Sequence, residues 1–304
     1  MAERDAFVWY RGAIRPAGEA RLPVSDHAVQ FGAGLFETFR TWQGRAPFLG
    51  RHLARLRSGC ARYRIVPPSG ALLPRAERAL PGILGGLLER HGWSDAVFRY
   101  TVTAGEAPPG LPAKSYRHPA EIISVRRLPE APMDGWRLHV LETRRLPPEF
   151  VPRPKSLQYA NALAARWEML DRGLGAESEG LMLTADGLVA EGVTTSVFFQ
   201  AGDCLCTAAL DLGVLPGVMR GLVLEWAGQE GIAVREGPFS IRALAESGAV
   251  ILTSGVIGVA PVTRVLDGAD RILATPPTVE HPWFHRLRAR LQREISTAQA
   301  WIGV

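Results

Sequence analysis

Lys155 stands in V-P-R-P-K-S-L-Q-Y, with two prolines just upstream and an apolar-periodic segment downstream. A lysine beside the N-terminus of a helix has its ammonium form disfavoured. A lysine that releases its proton easily can form an imine with a carbonyl and then act as a base. Taken alone, such a lysine is a surface residue, because lysine is seldom buried without cause. Glu191 follows a hairpin strand in D-G-L-V-A-E-G-V-T-T-S-V-F-F. Its plain reading is a solvated turn. Its chemical reading is a carboxylate that keeps a pyridine nitrogen protonated, so that the ring becomes an electron sink. A third signal concerns anions. The segment G-V-L-P-G-V-M-R at 213–220 leads into an expected helix, with Pro216 suited to its start and Gly217 allowing close backbone approach. Free amides at such a helix end attract phosphate. The turn T-S-G-V-I-G at 253–258 offers a second set of amides. Arg55 could grip a phosphate bidentately, although Arg51 and Arg57 beside it suggest a solvated helix face. Each turn is weak evidence by itself.

These residues need elements to hold them. Strands are expected at 7–10, 36–42, 96–103 and 121–126, and helices at 51–63 and 75–91, the latter despite an internal Pro-Gly. The stretch L-P-E-A-P-M-D-G has two prolines, a glycine and little periodicity, and reads as a linker. This gives a small N-terminal α+β domain at 1–127, a linker at 128–134 and a larger C-terminal domain at 135–304. In the second domain a strand is expected at 136–142. A helix follows over 157–170, with Leu157, Ala160, Leu163, Ala164, Trp167 and Leu170 on one side. Short strands at 181–184, 188–190, 196–200 and 204–207 come next. Asp186-Gly187 and Gly202-Asp203 mark hairpins between them. A helix at 217–230, a strand at 249–253 and a helix near 281–297 complete the chain.

Composition removes several function classes. The 304 residues are 47% hydrophobic, ample for a large core, and the net charge of +5 comes from scattered residues rather than a basic arm. A nucleic-acid partner is therefore not expected. No apolar run is long enough for a membrane span, and no signal peptide is read at the start, so a soluble cytoplasmic protein is expected. Three cysteines fit a reducing compartment. Cys204 and Cys206 read as strand packing, and the histidines, His27 and His52 included, show no metal spacing. There is no G-x-x-x-x-G-K-[ST] loop and no G-x-S-x-G elbow.

Six segments stand in a telling order: S-D-H-A-V-Q-F-G-A-G-L-F-E-T-F-R at 25–40, H-L-A-R-L at 52–56, K-S-L-Q-Y at 155–159, E-G-V-T-T-S-V-F-F at 191–199, L-P-G-V-M-R at 215–220 and T-S-G-V-I-G-V-A-P-V at 253–262. Together they resemble the fold-type IV pyridoxal-phosphate enzymes, the class IV aminotransferase family. This family includes branched-chain and D-amino acid aminotransferases and aminodeoxychorismate lyases. The resemblance implies an α/β (α+β) two-domain fold, a small α+β domain joined to a larger pseudo-barrel domain. It also implies pyridoxal 5'-phosphate as cofactor and a homodimer whose partner completes the active site. Lys155 would be the Schiff-base lysine and Glu191 the partner of the pyridine nitrogen. Arg55 would bind the phosphate together with the amides of Val218 and Met219 and of Gly255 and Val256. Thr194 and Thr195 would lie near the ring. Phe36, Arg40 and Arg99 would meet a small anionic substrate that carries an amino group.

Departures from the family pattern bear on the substrate. Ala33, Phe36 and Ala104 replace an aspartate, a tyrosine and an arginine found in various aminotransferases. Gln158 stands where asparagine is frequent. Met219 and Gly255 lack phosphate-binding hydroxyls of some relatives, although some lyases also carry Met at the first position. The V-S-D-H-A-V-Q-F-G start, the G-V-M-R segment and the arginine missing at Ala104 favour 4-amino-4-deoxychorismate lyase, with an amino acid aminotransferase as the alternative.

Overall fold

The structure is a computed structural model that describes residues 6–298. The chain forms two compact units. Unit 1 holds β1 (Phe7–Tyr10), β2 (Ala13–Pro16), α1 (His27–Phe31), β3 (Gly34–Arg40), α2 (Leu49–Arg62), α3 (Ala76–His91), β4 (Val97–Thr103) and β5 (Glu121–Arg126). Its antiparallel sheet runs β2-β1-β5-β4-β3. On α2, Leu49, Leu53, Leu56 and Cys60 are buried at helical spacing and share a core with Leu35 and Phe39 of β3. Helix α3 tolerates Pro81 inside it, because Leu80, Leu84, Leu87 and Leu88 bury almost completely and outweigh one lost backbone bond. Asp26 caps α1 by accepting from the Ala28 amide at 2.8 Å, and Gly32 ends that helix at φ 64°.

Unit 2 holds β6 (Trp136–Val140), α4 (Ala160–Asp171), β7 (Ser178–Leu183), β8 (Val189–Gly192), β9 (Ser196–Ala201), β10 (Cys204–Ala208), α5 (Val218–Gln229), β11 (Ala233–Gly237), α6 (Ile241–Ala245), β12 (Val250–Ser254), β13 (Gly258–Leu266) and β14 (Ile272–Ala274). Helix α7 (Pro282–Thr297) follows. The sheet order is β11-β10-β9-β12-β13-β6-β7-β8, with β14 beside β13. It curls, because the Val189 amide of the last strand donates to Phe239 O at 2.8 Å, just past the first strand. Leu188 and Ser240 form a bridge at the same place. Fully buried Leu138, Leu181, Val197, Phe199, Val250, Leu252 and Val262 fill the inside of this curl. The structure thus has the α+β and pseudo-barrel units that the fold class requires.

Three expectations need correction. The domain boundary falls at 129/130, but the chain does not stay in one unit after it. Residues Pro154–Gln158, and the described chain from Ile295 to Ala298, belong to unit 1 rather than to the expected 135–304 domain. Backbone pairing explains the first return, since the Phe36 amide donates to Lys155 O at 2.9 Å and the Leu157 amide to Gly34 O at 2.9 Å. Secondly, the helix expected from 157 begins at Ala160. Lys155 is therefore held by sheet pairing and not as part of a helix start. Thirdly, the larger apolar side chains of α4 face outward: Leu163, Trp167 and Leu170 are 47–60% exposed. Ala162, Ala165 and Met169 form the buried face instead, because small side chains let the helix lie close on its sheet.

Candidate active site

In unit 1, β3 sorts its side chains onto two faces. Leu35, Glu37 and Phe39 point towards α2. Arg55 donates from Nε to Glu37 Oε1 at 2.7 Å and from Nη2 to Oε2 at 2.6 Å. His52, one helical turn away, donates from Nδ1 to the same Oε2 at 2.7 Å. Glu37 is only 1% exposed. Burial alone would raise its pKa, but Arg55 and then His52 hold it down at about 2. Burial lowers the pKa of His52, and the positive charges of Arg55 and Lys155 add to this against the pull of Glu37. His52 is thus a neutral donor fixed in one tautomer. Of the residues assigned to phosphate, Arg55 therefore spends one edge of its guanidinium on a carboxylate.

The other face of β3 carries Phe36. Gly34, beside it, permits the close approach of the lysine segment, because a Cβ there would lie 2.6 Å from Leu157 Cδ1 and 2.9 Å from Val102 O. Lys155 Nζ stands 4.6 Å from the centre of the Phe36 ring, and Arg99 Cζ stands 3.5 Å from it. Arg99 reaches this face because it pairs with Thr38 across β3 and β4. The structure therefore brings Lys155, Phe36 and Arg99 together. Arg40 is engaged elsewhere. It donates from Nε to Thr41 O at 2.9 Å and lies 3.8 Å over the Trp42 ring. Burial lowers its pKa while nearby Asp95 raises it.

In unit 2, Glu191 is 5% exposed on β8. Its Oε1 accepts from Arg153 Nη2, and Arg145 Nη1 lies 3.6 Å away. Its Oε2 accepts from the Leu215 amide at 2.8 Å. The solvated-turn reading thus gives way to a buried, paired carboxylate. The turn after it is fastened by Glu179 on β7, which accepts from the Thr194 amide at 3.0 Å and from Thr194 Oγ1 at 3.1 Å. Burial raises the pKa of Glu179 to about 7, against the lowering by Thr194 and the Val193 amide. Thr195 Oγ1 packs against Gly192, where a Cβ would come within 2.1 Å of it.

Helix α5 begins at Val218 with Gly217 as its N-cap, and no side chain caps it. A Cβ on Gly217 would lie 2.9 Å from Ser196 Oγ and 3.2 Å from Arg220 Cβ. The helix end is thus a backbone-lined cradle that a single methyl group would fill, suited to a phosphate. The Val218 and Met219 amides belong to this first turn, while the Met219 side chain is 1% exposed in the interior. The second anion turn is partly closed by its own serine. Ser254 Oγ accepts from the Val256 amide at 3.3 Å and from the Ile257 amide at 3.2 Å. Gly255 lies in the same turn. Among the described residues no group of three His, Cys, Asp or Glu could hold a metal ion. No helix among them is long and apolar enough to cross a membrane.

Within unit 2, a buried carboxylate and an uncapped helix end lined by backbone are groups that suit the ring nitrogen and the phosphate of pyridoxal phosphate. Sequence reasoning missed Glu37, Arg145, Arg153, Glu179 and Ser196. One signal was available for Glu179: an acidic residue opening the apolar run E-G-L-M-L has nowhere to go but the core.

Residues 34–265 match the amino-transferase class IV family. Aminodeoxychorismate lyase of Bacillus subtilis (strain 168) is 31% identical over 261 residues, 85% of this chain and 86% of that protein. A putative branched-chain-amino-acid aminotransferase of Methanocaldococcus jannaschii is 26% identical over 260 residues, 85% of this chain and 87% of its own. Among solved structures, 4-amino-4-deoxychorismate lyase from Pseudomonas aeruginosa superposes with a TM-score of 0.77 at 29% identity, over 94% of this chain and 98% of that one. The branched-chain aminotransferase of Thermoproteus uzoniensis gives a TM-score of 0.80 at 20% identity, over 98% and 97%, which speaks for the fold. With the match covering most of its length, the chain belongs to the amino-transferase class IV family of pyridoxal-phosphate-dependent enzymes.

Proposed function

We propose that this enzyme is a 4-amino-4-deoxychorismate lyase, which splits its substrate into 4-aminobenzoate and pyruvate. The observation that carries the reading is the grouping of Lys155 and Arg99 on the ring of Phe36. It sets an amine and a fixed positive charge on one apolar surface, as an anionic ring-bearing amine requires. The similarity to the Bacillus subtilis lyase supports the choice. Bound pyridoxal phosphate would supply the electron sink.

The chain's own residues do the rest. Lys155 takes the proton from the amine-bearing carbon of the substrate as the bond to the enolpyruvyl oxygen breaks. Its ammonium then returns a proton to the departing three-carbon unit, which leaves as pyruvate. Arg99 holds a substrate carboxylate, whereas Arg40 serves the hairpin around Trp42. Glu191, matched by Arg145 and Arg153, would keep the ring nitrogen of the cofactor protonated. Thr194 and Thr195 would border that ring. The first amides of α5, with Gly255 and Val256, would hold the phosphate. We place the enzyme in the cytoplasm, in keeping with three free thiols, and as a homodimer, in keeping with the exposed Leu163, Trp167 and Leu170.

The second reading, an aminotransferase, is favoured by relatives named as branched-chain aminotransferases. One assay separates the two. Purified enzyme is given aminodeoxychorismate and, separately, a panel of amino acids. Pyruvate release supports the lyase, and conversion of the cofactor to its amine form without pyruvate release would replace it with the aminotransferase. In both readings Lys155→Ala abolishes covalent cofactor attachment and cuts turnover by about a thousandfold or more. Borohydride trapping with mass spectrometry reads the first effect, and unchanged attachment would end both readings.

A further inference from the structure

Neither Met219 in the first turn of α5 nor Gly255 carries a side-chain hydroxyl, and the Met219 side chain is buried in the interior. The sheet beneath α5 does carry hydroxyls. Ser196 opens β9 and is 8% exposed. Its Oγ sits 2.9 Å from the point where a Gly217 Cβ would be, at the uncapped mouth of the helix. Among the described residues no hydrogen bond to this hydroxyl is formed. Directly opposite it in the register of β9 and β12 stands Thr253, 1% exposed, whose Oγ1 is buried without a partner. Cross-strand neighbours project from the same face, so two hydroxyls lie side by side under one helix end. A buried hydroxyl without an acceptor is unfavourable and gains when one arrives.

We propose that Ser196, backed by Thr253, is the side-chain hydroxyl that binds a phosphate monoester at the N-terminus of α5. Ser196 turns its O–H to a phosphate oxygen alongside the Val218 and Met219 amides. Thr253 then donates to the freed lone pair of Ser196 Oγ. The sheet supplies from below what the first turn of the helix lacks. This inference rests on the reading that pyridoxal phosphate is the cofactor.

Full-length protein stripped of cofactor is titrated with pyridoxal phosphate and, in parallel, with pyridoxal, which has no phosphate. Tryptophan fluorescence reports binding. Ser196→Ala is expected to weaken pyridoxal phosphate about tenfold, the size of a lost hydrogen bond to a charged group. Pyridoxal binding should stay as in the wild type, and Ser196→Thr should restore the affinity for pyridoxal phosphate. Thr253→Val should weaken it about threefold. The assignment is overturned if Ser196→Ala leaves pyridoxal phosphate affinity unchanged, or weakens both ligands alike. Wild-type protein that attaches no pyridoxal phosphate at all would remove the underlying reading, a result separable from either.

Discussion

Each unit buries a glutamate next to its candidate residues, and the two are driven in opposite directions. Glu37 in unit 1 meets a guanidinium and an imidazole, and its pKa falls to about 2. Glu179 in unit 2 meets an amide and a hydroxyl of Thr194 and the amide of Val193, and its pKa rises to about 7. Both are nearly inaccessible to water. Around Glu179 these dipoles and a smaller attraction from Arg166 do not replace the lost hydration of a charge, whereas the guanidinium bonded directly to Glu37 outweighs it. Unit 1 therefore contains a permanent ion pair, and unit 2 a carboxyl that changes state near neutrality.

The strongest way to break the contrast is Glu37→Gln. It removes the charge of Glu37 from its pair with Arg55, and removing one member of a buried pair costs about 3–5 kcal/mol. Urea denaturation at pH 7 measures this, and a loss under about 1 kcal/mol would show that the pair is not buried in solution. In the wild type the lowered pKa of Glu37 contributes stability present above 4.5 and lost as pH falls through about 2, roughly 3 kcal/mol in all.

Glu179 must show the reverse slope. Its folded pKa of about 7 exceeds the ordinary 4.5, so its contribution is complete below 4.5 and fades as pH rises through about 7. The span is again roughly 3 kcal/mol. Denaturation midpoints of wild type and Glu179→Gln, compared at pH 5 and pH 8, should diverge in favour of the variant at pH 8. Parallel midpoints at both values would mean that Glu179 is ionised throughout. The mildest change is Thr194→Val, which removes one donor to the Glu179 carboxylate. It should cost about 1 kcal/mol at pH 8 and less at pH 5, where the carboxyl is protonated.

Elements with strong periodicity could be read from the sequence. Helix α2 followed from Leu53, Leu56 and Cys60, and β5 from its run of β-branched residues. Strand β13 did not, because Gly258 and Pro261 punctuate it and the T-S-G-V-I-G turn drew attention to its first residues. On α4 the periodic side was visible, yet periodicity cannot say which side is covered, and here alanines were the buried ones. Glu191 and Lys155 stood out in the sequence by their neighbouring residues. The carboxylates and arginines that support them were not, since Glu37 and Arg55 are 18 positions apart and Arg153 and Glu191 are 38. Contacts of that separation exist only once the chain is folded.

The short return of residues 154–158 to the first unit has a practical consequence. Strand β3 lies at the margin of its sheet, and this segment lends it the hydrogen bonds of Lys155 and Leu157. A fragment stopping at residue 129 would keep every named strand of that sheet and still expose a bare margin prone to self-association. The enzyme consequently cannot be divided into two autonomous cassettes at its obvious seam. Lys155 also caps a raw edge, so any graft or gene split must carry that pentapeptide along with the first cassette.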